Sequence, residues 1–253
     1  MNIKVLVATH KKYWMPNDEV YLPIHVGSDK GEKIGYQPDN VGDNISAKNP
    51  YYCELTALYW GWKNLNAEYV GLCHYRRYFT RSNPIGLSRE RHAILTKKEY
   101  EYLLSQSPII VGDKRRYYIE TIRSHYNHTR QKIDLDHVEE IIRLEYPQYE
   151  ESFHRVMNRT WAHMFNMFVM RWDYYDQYCK WLFDILGKLE KKTDIKSYNK
   201  VEARVYGYIS ELLLDVWLEK NKLGYKEVNI CFIESQNWLK KGFLFLKHKY
   251  IGK

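Results

Sequence analysis

Short apolar segments that alternate with longer segments of helical periodicity are the feature that most constrains the fold. Ile3 to Thr9 is mostly apolar, and residues 69–73 and 108–112 are two further short apolar runs. In residues 50–65 and 96–106, apolar side chains recur every three or four positions. Buried strands that alternate with helices are typical of α/β domains, whose sheets are mainly parallel. We therefore predict a mainly parallel central sheet that is flanked by helices.

The second half of the chain predicts a larger helical share. Residues 135–145, 173–189 and 201–221 have the apolar periodicity of helices, and 164–170 predict one more strand. No internal repeat and no linker-like composition interrupts the chain. We therefore predict one domain over residues 1–253 with a helical C-terminal part.

The composition excludes disordered and membrane-spanning classes of protein. Hydrophobic residues make up 45% of the 253 residues and aromatic residues 16%, which is enough to bury a large core. No apolar run approaches the roughly 20 residues of a membrane span, and the apolar start of the chain is too short for a secretory signal. We therefore expect a cytoplasmic protein. Its 39 Lys and Arg residues exceed its 31 Asp and Glu residues, and the net charge of +8 favours anionic partners.

The cysteines and histidines predict neither a metal site nor a disulfide framework. The four cysteines match the spacing of neither a zinc site nor a redox pair, and each lies in an apolar or aromatic stretch. His125 and His128 are three positions apart, but no cysteine or carboxylate pattern accompanies them. We interpret the cysteines as core residues and the histidines as hydrogen-bonded or surface residues.

Polar side chains follow two of the predicted strands. Thr9-His10-Lys11 ends the first strand, and His74-Tyr75-Arg76-Arg77 ends the strand over 69–73. In α/β sheets, ligands bind beyond the carboxyl ends of the strands, and the planar fork of arginine suits phosphate oxygens. We interpret the histidine and the two arginines of the second segment as a phosphate site. In the alternative, one arginine pairs with a carboxylate and the other is solvated.

Two further segments each have a functional and a structural interpretation. Gly42-Asp43-Asn44-Ile45-Ser46 suits a phosphate or sugar loop, but a turn held by its Asp and Asn side chains explains it equally well. His163 and Asn166 lie in an apolar segment. A buried asparagine there hydrogen-bonds either to the backbone or to a ligand.

Glu211 is the candidate general base. It lies among apolar residues of the helix predicted over 201–221, and a carboxyl group in apolar surroundings has a raised pKa. The alternative is an ion pair with an arginine such as Arg204, which is about two helical turns away.

Several motifs, in order along the chain, resemble those of one bacterial family. The longest extend over residues 49–64 and 68–79 and include Glu54. Over essentially its whole length the chain is similar to glycosyltransferases of capsular and exopolysaccharide biosynthesis, long catalogued as a domain of unknown function. The other matching segments are Ala8–Lys11, Gly42–Ser46, Ser124–Tyr126, Ala162–Met167, Ser210–Leu213 and Gln236–Gly242.

The resemblance implies a GT-A-like nucleotide-sugar transferase, and some members of the family are associated with galactofuranose transfer from a UDP-sugar. In ordinary GT-A enzymes a short strand ends in Asp-x-Asp, which holds a divalent metal on the diphosphate. Here the strand that looks equivalent ends in His74-Tyr75-Arg76. The resemblance therefore implies that Arg76 and Arg77, with His74, neutralise the leaving UDP, and that the enzyme uses no metal or other cofactor.

The resemblance also implies roles for the other candidates. Thr9-His10-Lys11 borders the uridine, and Asp43 and Asn44 lie near the ribose or the sugar. Glu211 deprotonates the acceptor hydroxyl, with Asp43 as a rival base and Glu202 as a weaker candidate. The residues expected to contact the donor sugar or the acceptor are His125, Tyr126, His163, Asn166 and Arg204.

The expected partners are a UDP-sugar, carrying galactofuranose or galactose, and a growing, lipid-linked polysaccharide acceptor. Residues 1–115 are expected to form the nucleotide-sugar-binding half and 116–253 the acceptor-side, helical half. The lysine-rich tail from Trp238 suits contact with the inner face of the plasma membrane, and a packed terminal helix with a solvated basic face explains it equally well. The alternative class is a noncatalytic basic protein that binds nucleic acid or a membrane surface. Because basic residues are spread along the chain without a nucleic-acid-binding motif, we expect no nucleic acid partner.

Overall fold

The computed structural model describes residues 1–81 and 91–234 of the chain. Within these ranges, nine strands form one sheet and two more form a separate ribbon. The strands are β1 (Ile3–Thr9), β2 (Tyr21–His25), β3 (Gln37–Pro38), β4 (Tyr69–His74), β5 (Arg77–Phe79), β6 (Ile109–Gly112), β7 (Arg115–Arg116), β8 (Trp161–Ala162), β9 (Phe168–Arg171), β10 (Lys226–Val228) and β11 (Ile230–Phe232).

The sheet has the order β10-β6-β9-β4-β1-β2-β3, and β5 joins β4 to β11 at one end of the sheet. The pairs β1–β2, β1–β4, β2–β3 and β6–β10 are parallel, whereas β9 runs antiparallel to both β4 and β6. The ribbon consists of β7 and β8. The predicted fold class, a mainly parallel sheet flanked by helices, is confirmed.

The helices pack on the faces of this sheet and on one another. They are α1 (Asn49–Tyr52), α2 (Leu55–Asn64), α3 (Lys97–Gln106), α4 (Ile122–Thr129), α5 (Lys132–Glu145), α6 (Glu150–Met157), α7 (Trp172–Lys192) and α8 (Val205–Lys220). The helix α3, predicted over 96–106, begins at a capping box in which Thr96 and Glu99 satisfy each other's backbone donors. The helix α8 is apolar on nearly all sides, and accordingly most of its side chains are buried.

Side chains on the two faces of the sheet enter two separate hydrophobic cores. In β1, Leu6 and Ala8 enter the core under α2, α7 and α8, whereas Val5 and Val7 enter the opposite core. This alternation is the period of two that a strand imposes. A strand buried on both faces must be apolar throughout, which explains the continuous apolar run that opens the sequence.

The topology brings three chain segments to one edge of the sheet. Because β1 and β4 are parallel, with Ala8 opposite His74, their carboxyl ends meet at the same edge. We call this the carboxyl edge. Only four residues connect the end of α2 to the start of β4, so the helix runs antiparallel to this strand. The N-terminus of α2, next to Glu54, therefore lies towards the carboxyl edge.

Two predicted elements differ in extent from the observed ones. The strand predicted over 164–170 starts only at Phe168, because Phe165 and Asn166 have the positive φ angles of a turn. The helix predicted over 201–221 starts at Val205. The tail from Trp238 lies outside the described residues. Within the described residues, no helix combines the length and apolar character needed to cross a membrane.

Candidate active site

A two-residue hairpin turn divides the His74-Tyr75-Arg76-Arg77 segment into two parts. His74 in β4 pairs with Arg77 in β5, and Tyr75 and Arg76 form the turn between them. Side chains of a cross-strand pair project from the same face. His74 and Arg77 therefore lie side by side, while Tyr75 and Arg76 form what we call the hairpin tip.

His74 belongs to a buried polar group with Glu54 and Asn166. Asn166 Nδ2 donates to Glu54 Oε1 at 2.6 Å and to the carbonyl of Gly207 at 3.3 Å. His74 Nε2 lies 2.9 Å from the carbonyl oxygen of Phe165 and 3.9 Å from Glu54 Oε1. Because a carbonyl oxygen only accepts, His74 Nε2 is the donor. Burial lowers the pKa of His74, with Glu54 opposing and Arg77 adding to this effect, so the neutral imidazole is favoured.

The backbone is strained where it presents these groups. Cys53, Phe165 and Asn166 have φ angles of 53°, 76° and 54°, in the left-handed region that side chains disfavour. Cys53 precedes Glu54, Phe165 supplies the carbonyl to His74, and Asn166 supplies the amide to Glu54. Such conformations cost about 1–3 kcal/mol each and cluster at functional sites. Tyr118 and Lys222 also have positive φ angles, so three of the five such non-glycine residues among those described lie at the polar group.

Glu211 in α8 completes this group. Burial and then the charge of Glu54 raise the pKa of Glu211, and Arg77, Arg115 and Arg130 oppose the rise, with a net pKa of about 8. At neutral pH the carboxyl is therefore mostly protonated but close to its titration range. We call Glu54, His74, Arg77, Asn166 and Glu211 the inner cluster.

Two atoms of the inner cluster have no hydrogen-bond partner within the described residues. They are Arg77 Nε and Asn166 Oδ1, and both are buried. The Arg77 guanidinium instead lies over the rings of Phe165 and Phe232, at 4.3 and 5.6 Å from their centroids. Buried polar atoms are nearly always satisfied, so a buried donor and a buried acceptor without partners indicate a place for a polar ligand.

The hairpin tip faces a second group of cationic and aromatic side chains. Arg76 lies 5.0 Å from the centroid of the Tyr75 ring and forms an ion pair with Glu234 at 3.2 Å. Lys11 Nζ lies 5.4 Å from the same centroid, and the ring of His10 meets that ring edge-on at 5.5 Å. Burial, together with Lys11 and Arg76, lowers the pKa of His10. This arrangement suits an aromatic base that carries phosphates.

Thr9 holds this loop in place. Its side chain is buried, and its hydroxyl donates to the carbonyl of Lys11 at 2.7 Å.

Asp43 and Asn44 lie away from the inner cluster. Asp43 accepts from Tyr59 at 3.2 Å, and Asn64 at the C-terminus of α2 donates to its carbonyl at 2.8 Å. Glu54 precedes the other end of α2, and ten helical residues span about 15 Å. Asn44 closes a local turn through Gly42 and Ser46. These contacts match the structural interpretation of the segment, a turn held by its side chains.

Two of the expected substrate-binding residues are enclosed by protein. His163 is fully buried, its Nδ1 lies 2.5 Å from Asp215 Oδ1, and its Nε2 lies 3.7 Å from Glu227. Tyr126 is buried in the helical core.

Two other expected substrate-binding residues lie nearer the surface. His125 Nδ1 lies 2.7 Å from the buried carboxylate of Glu120, and its ring packs on Tyr117. Arg204 is exposed and donates to Cys53 Sγ at 3.0 Å, directly next to Glu54. Glu202, the weaker candidate base, accepts from Gln131 at 2.6 Å.

Sequence reasoning missed Glu54, Arg115 and Arg130. Glu54 is part of a long motif, but an acidic residue before a helix also suits the helix dipole, so its type alone did not indicate a site. Arg115 is in the short strand β7, and Arg130 follows α4. Their only signal was positive charge, which is spread along the whole chain.

Comparison with known proteins assigns the chain to a family. A family described as a domain of unknown function, DUF4422, matches residues 4–222. The chain belongs to this family, which confirms the family resemblance of its motifs. Among solved structures, the apo structure of the WbbM bifunctional glycosyltransferase superposes on this chain with a TM-score of 0.86 and 30% sequence identity. The match covers 93% of this chain and 46% of that chain, so this chain spans less than half of WbbM. No curated protein shows significant similarity to this sequence.

Proposed function

We propose that this chain is a glycosyltransferase that moves a sugar from a UDP-sugar to a hydroxyl group of a growing glycan. The observation that carries the proposal is the inner cluster. At the carboxyl edge it combines a carboxyl group of raised pKa with a guanidinium and an amide that each have one buried atom without a partner within the described residues. Ligands of α/β sheets bind at this edge. The similarity to a bifunctional glycosyltransferase supports the same function.

The donor occupies the space between the hairpin tip and the inner cluster in this proposal. The rings of Tyr75 and Tyr13, which meet edge-on at 5.0 Å with Lys11 above both, suit the uracil base. Arg76 and Arg77 bind the diphosphate, for which Arg77 Nε is a free donor within the described residues. The donor sugar then reaches Asn166.

The reaction is a single displacement. The acceptor oxygen forms a bond to the anomeric carbon of the donor, and the bond from that carbon to the β-phosphate oxygen breaks. The proton of the acceptor hydroxyl passes to the Glu211 carboxylate, and the electron pair of the broken bond leaves on UDP. Arg76 and Arg77 provide positive potential for the leaving group, and His74 lies beside Arg77.

Glu211 accepts a proton only in its ionised form. With a pKa of about 8, the ionised fraction is small at pH 7 and grows as the pH rises. We therefore expect the transfer rate to rise with pH up to about 8. Asp43, the rival base, lies at the far end of α2, which favours Glu211.

The finer assignments rest on the family resemblance. We propose galactofuranose or galactose as the sugar and a lipid-linked capsular or exopolysaccharide chain as the acceptor, at the inner face of the plasma membrane. We also propose that arginines replace a metal ion at the diphosphate. Within residues 1–81 and 91–234, no group of three or more His, Cys, Asp or Glu side chains has the arrangement of a metal site.

A panel of UDP- and dTDP-sugars tests the proposal. Thermal unfolding identifies the donors that stabilise the chain, and product analysis with each binding donor follows in excess EDTA. We expect stabilisation by UDP-galactofuranose or UDP-galactose and unchanged transfer in EDTA. Stabilisation by no nucleotide sugar would contradict the glycosyltransferase assignment, and strict dependence on manganese would contradict the role of the arginines.

A further inference from the structure

Three arginines near Glu211 have no carboxylate partner in the part of the chain that the structure describes. Among the described residues, Arg115, Arg130 and Arg204 form no ion pair, although many other basic side chains do, such as Arg123, which pairs with Asp136 and Glu139. We call these three the acceptor-side arginines. They come from β7, from the end of α4 and from the segment before α8, so only the folded chain brings them together.

Aromatic rings hold these guanidinium groups in place. Arg130 and Arg204 lie 3.8 and 5.3 Å from the centroid of one ring, that of Tyr208 in α8. Arg115 lies 5.3 Å from the centroid of the Tyr117 ring. Stacking on a ring orders a guanidinium without neutralising its charge. The arginines are therefore positioned but remain fully charged.

The contact between Arg204 and Cys53 does not neutralise the arginine. Burial raises the pKa of the Cys53 thiol to about 11, so the sulfur that accepts from Arg204 Nε is uncharged at neutral pH. This bond uses one of the five donors of the guanidinium and leaves its terminal nitrogens for another partner.

The charges near Glu211 therefore do not balance. Arg115 and Arg130 lower the pKa of Glu211, which shows that both lie within electrostatic reach of its carboxyl group. Arg204 lies next to Glu54 through Cys53. At neutral pH Glu211 is mostly protonated, and the nearby carboxylates are those of Glu54 and of buried Glu120, which acts on Tyr117 and His125 together with Arg115. Within the described residues, neither carboxylate forms an ion pair with Arg77 or with an acceptor-side arginine. A site with an excess of fixed positive charge attracts and binds anions.

We infer that the acceptor carries an anionic group, a phosphate or a carboxylate, that Arg115, Arg130 and Arg204 bind beside Glu211. This inference rests on the proposed function, because it assigns the acceptor of the same reaction. The donor diphosphate is the competing occupant. Arg115 acts on Arg77, which binds the diphosphate in the proposed function, whereas Arg130 and Arg204 contact Tyr208 and, within the described residues, no residue of the hairpin tip.

Calorimetric titration of the chain saturated with UDP tests this inference. The probes are one disaccharide in three forms, as a neutral methyl glycoside, as a 1-phosphate and with a uronic acid at its reducing end. Loss of a charge-assisted contact costs enough to weaken binding about 10- to 100-fold, so we expect the anionic forms to bind more tightly than the neutral form by roughly this factor. The stronger of the two anionic forms identifies the group as phosphate or carboxylate.

Variants at two arginines complete the test. Arg130→Gln and Arg204→Gln are expected to remove most of the preference for the anionic form and to leave UDP affinity within about twofold. Arg204→Lys keeps the charge and should keep part of the preference. Arg171→Gln is the matched control, because Arg171 lies opposite Tyr69 at the other edge of the sheet.

The outcomes separate this inference from the proposed function. Equal binding of the neutral and anionic forms would overturn the inference. Loss of UDP affinity in Arg130→Gln and Arg204→Gln would also overturn it, because the arginines would then belong to the donor. A wild-type chain that binds no UDP but binds the phosphorylated form through Arg130 and Arg204 would contradict the proposed function and leave the anion site standing.

Discussion

Substitution of Glu211 by glutamine should stabilise the protein, and by an amount that depends on pH. In the folded chain the pKa of Glu211 is raised to about 8, mainly by burial and then by Glu54, from an ordinary value of 4.5. Below pH 4.5 this carboxyl is protonated in both the folded and the unfolded chain, so it costs no stability. Between 4.5 and 8 the unfolded chain releases the proton and the folded chain keeps it, so the wild type loses stability as the pH rises.

The magnitude follows from the two pKa values. Each pH unit in this window costs about 1.4 kcal/mol, which amounts to roughly 3 kcal/mol at pH 7. Glutamine has a similar shape and no titratable proton, so Glu211→Gln removes this cost. For a chain of this size, about 3 kcal/mol corresponds to a rise in Tm of roughly 6–12 °C at pH 7, with almost no difference near pH 4.5.

Thermal unfolding of both proteins between pH 4.5 and 8 measures this effect. Glu219→Gln, in the same helix α8, is the matched control. Although partial burial acts in the opposite direction, the ion pairs with Arg155 and Arg159 lower the pKa of Glu219. Glu219→Gln should therefore lower Tm by an amount that is constant from pH 6 to 8. If the Tm values of wild type and Glu211→Gln follow parallel curves against pH, Glu211 is not the high-pKa carboxyl described above.

Three further predictions concern the other site residues. Arg77→Lys should lower kcat about 10- to 100-fold, because lysine cannot replace the guanidinium fork in the inner cluster. Arg76 is exposed, so Arg76→Lys should lower kcat less than about tenfold. Equal losses of kcat in steady-state assays would refute the separate roles of the two arginines. Asn166→Gly relieves the strain of the positive φ angle but removes the amide that binds Glu54. Tm should therefore change little, while kcat falls about 100-fold. Full activity of this variant would show that the contact between Asn166 and Glu54 is not functional. Asp43→Asn should leave kcat/KM within about twofold, because Asp43 and Glu54 lie at opposite ends of α2, a helix about 15 Å long. Complete loss of turnover with retained UDP binding would instead identify Asp43 as the base.

The sequence predicted the elements whose signals are local. The apolar run of β1 and the capping box of α3 are each contained in a few residues, and both elements were found where predicted. The strand around Asn166 was predicted to begin too early. The left-handed backbone conformation of Phe165 and Asn166 has no recognisable sequence pattern in an apolar segment. Their conformation depends on Glu54 and His74, which are distant in sequence.

Long-range contacts explain what the sequence could not show about the site. Glu54 binds Asn166 across 112 positions, and no local pattern predicts that pairing. Adjacent Arg76 and Arg77 look equivalent in the sequence, yet the hairpin leaves Arg76 exposed and places Arg77 beside His74 with its Nε buried. The loop with Asp43 has a strong local pattern that is ambiguous. Its glycine, Asp and Asn residues suit a ligand-binding loop and equally a turn whose side chains bind only the protein's own backbone.

The pH dependence of kcat for sugar transfer, with saturating UDP-sugar and acceptor, tests most directly the claim that Glu211 is the base. We predict that kcat rises with pH and levels off above an apparent pKa of about 8, as expected for ionisation of Glu211. We also predict that Glu211→Gln loses about 100- to 10,000-fold in kcat at every pH while it still binds UDP. A kcat that does not vary between pH 6 and 9, or a glutamine variant with normal turnover, would contradict the account.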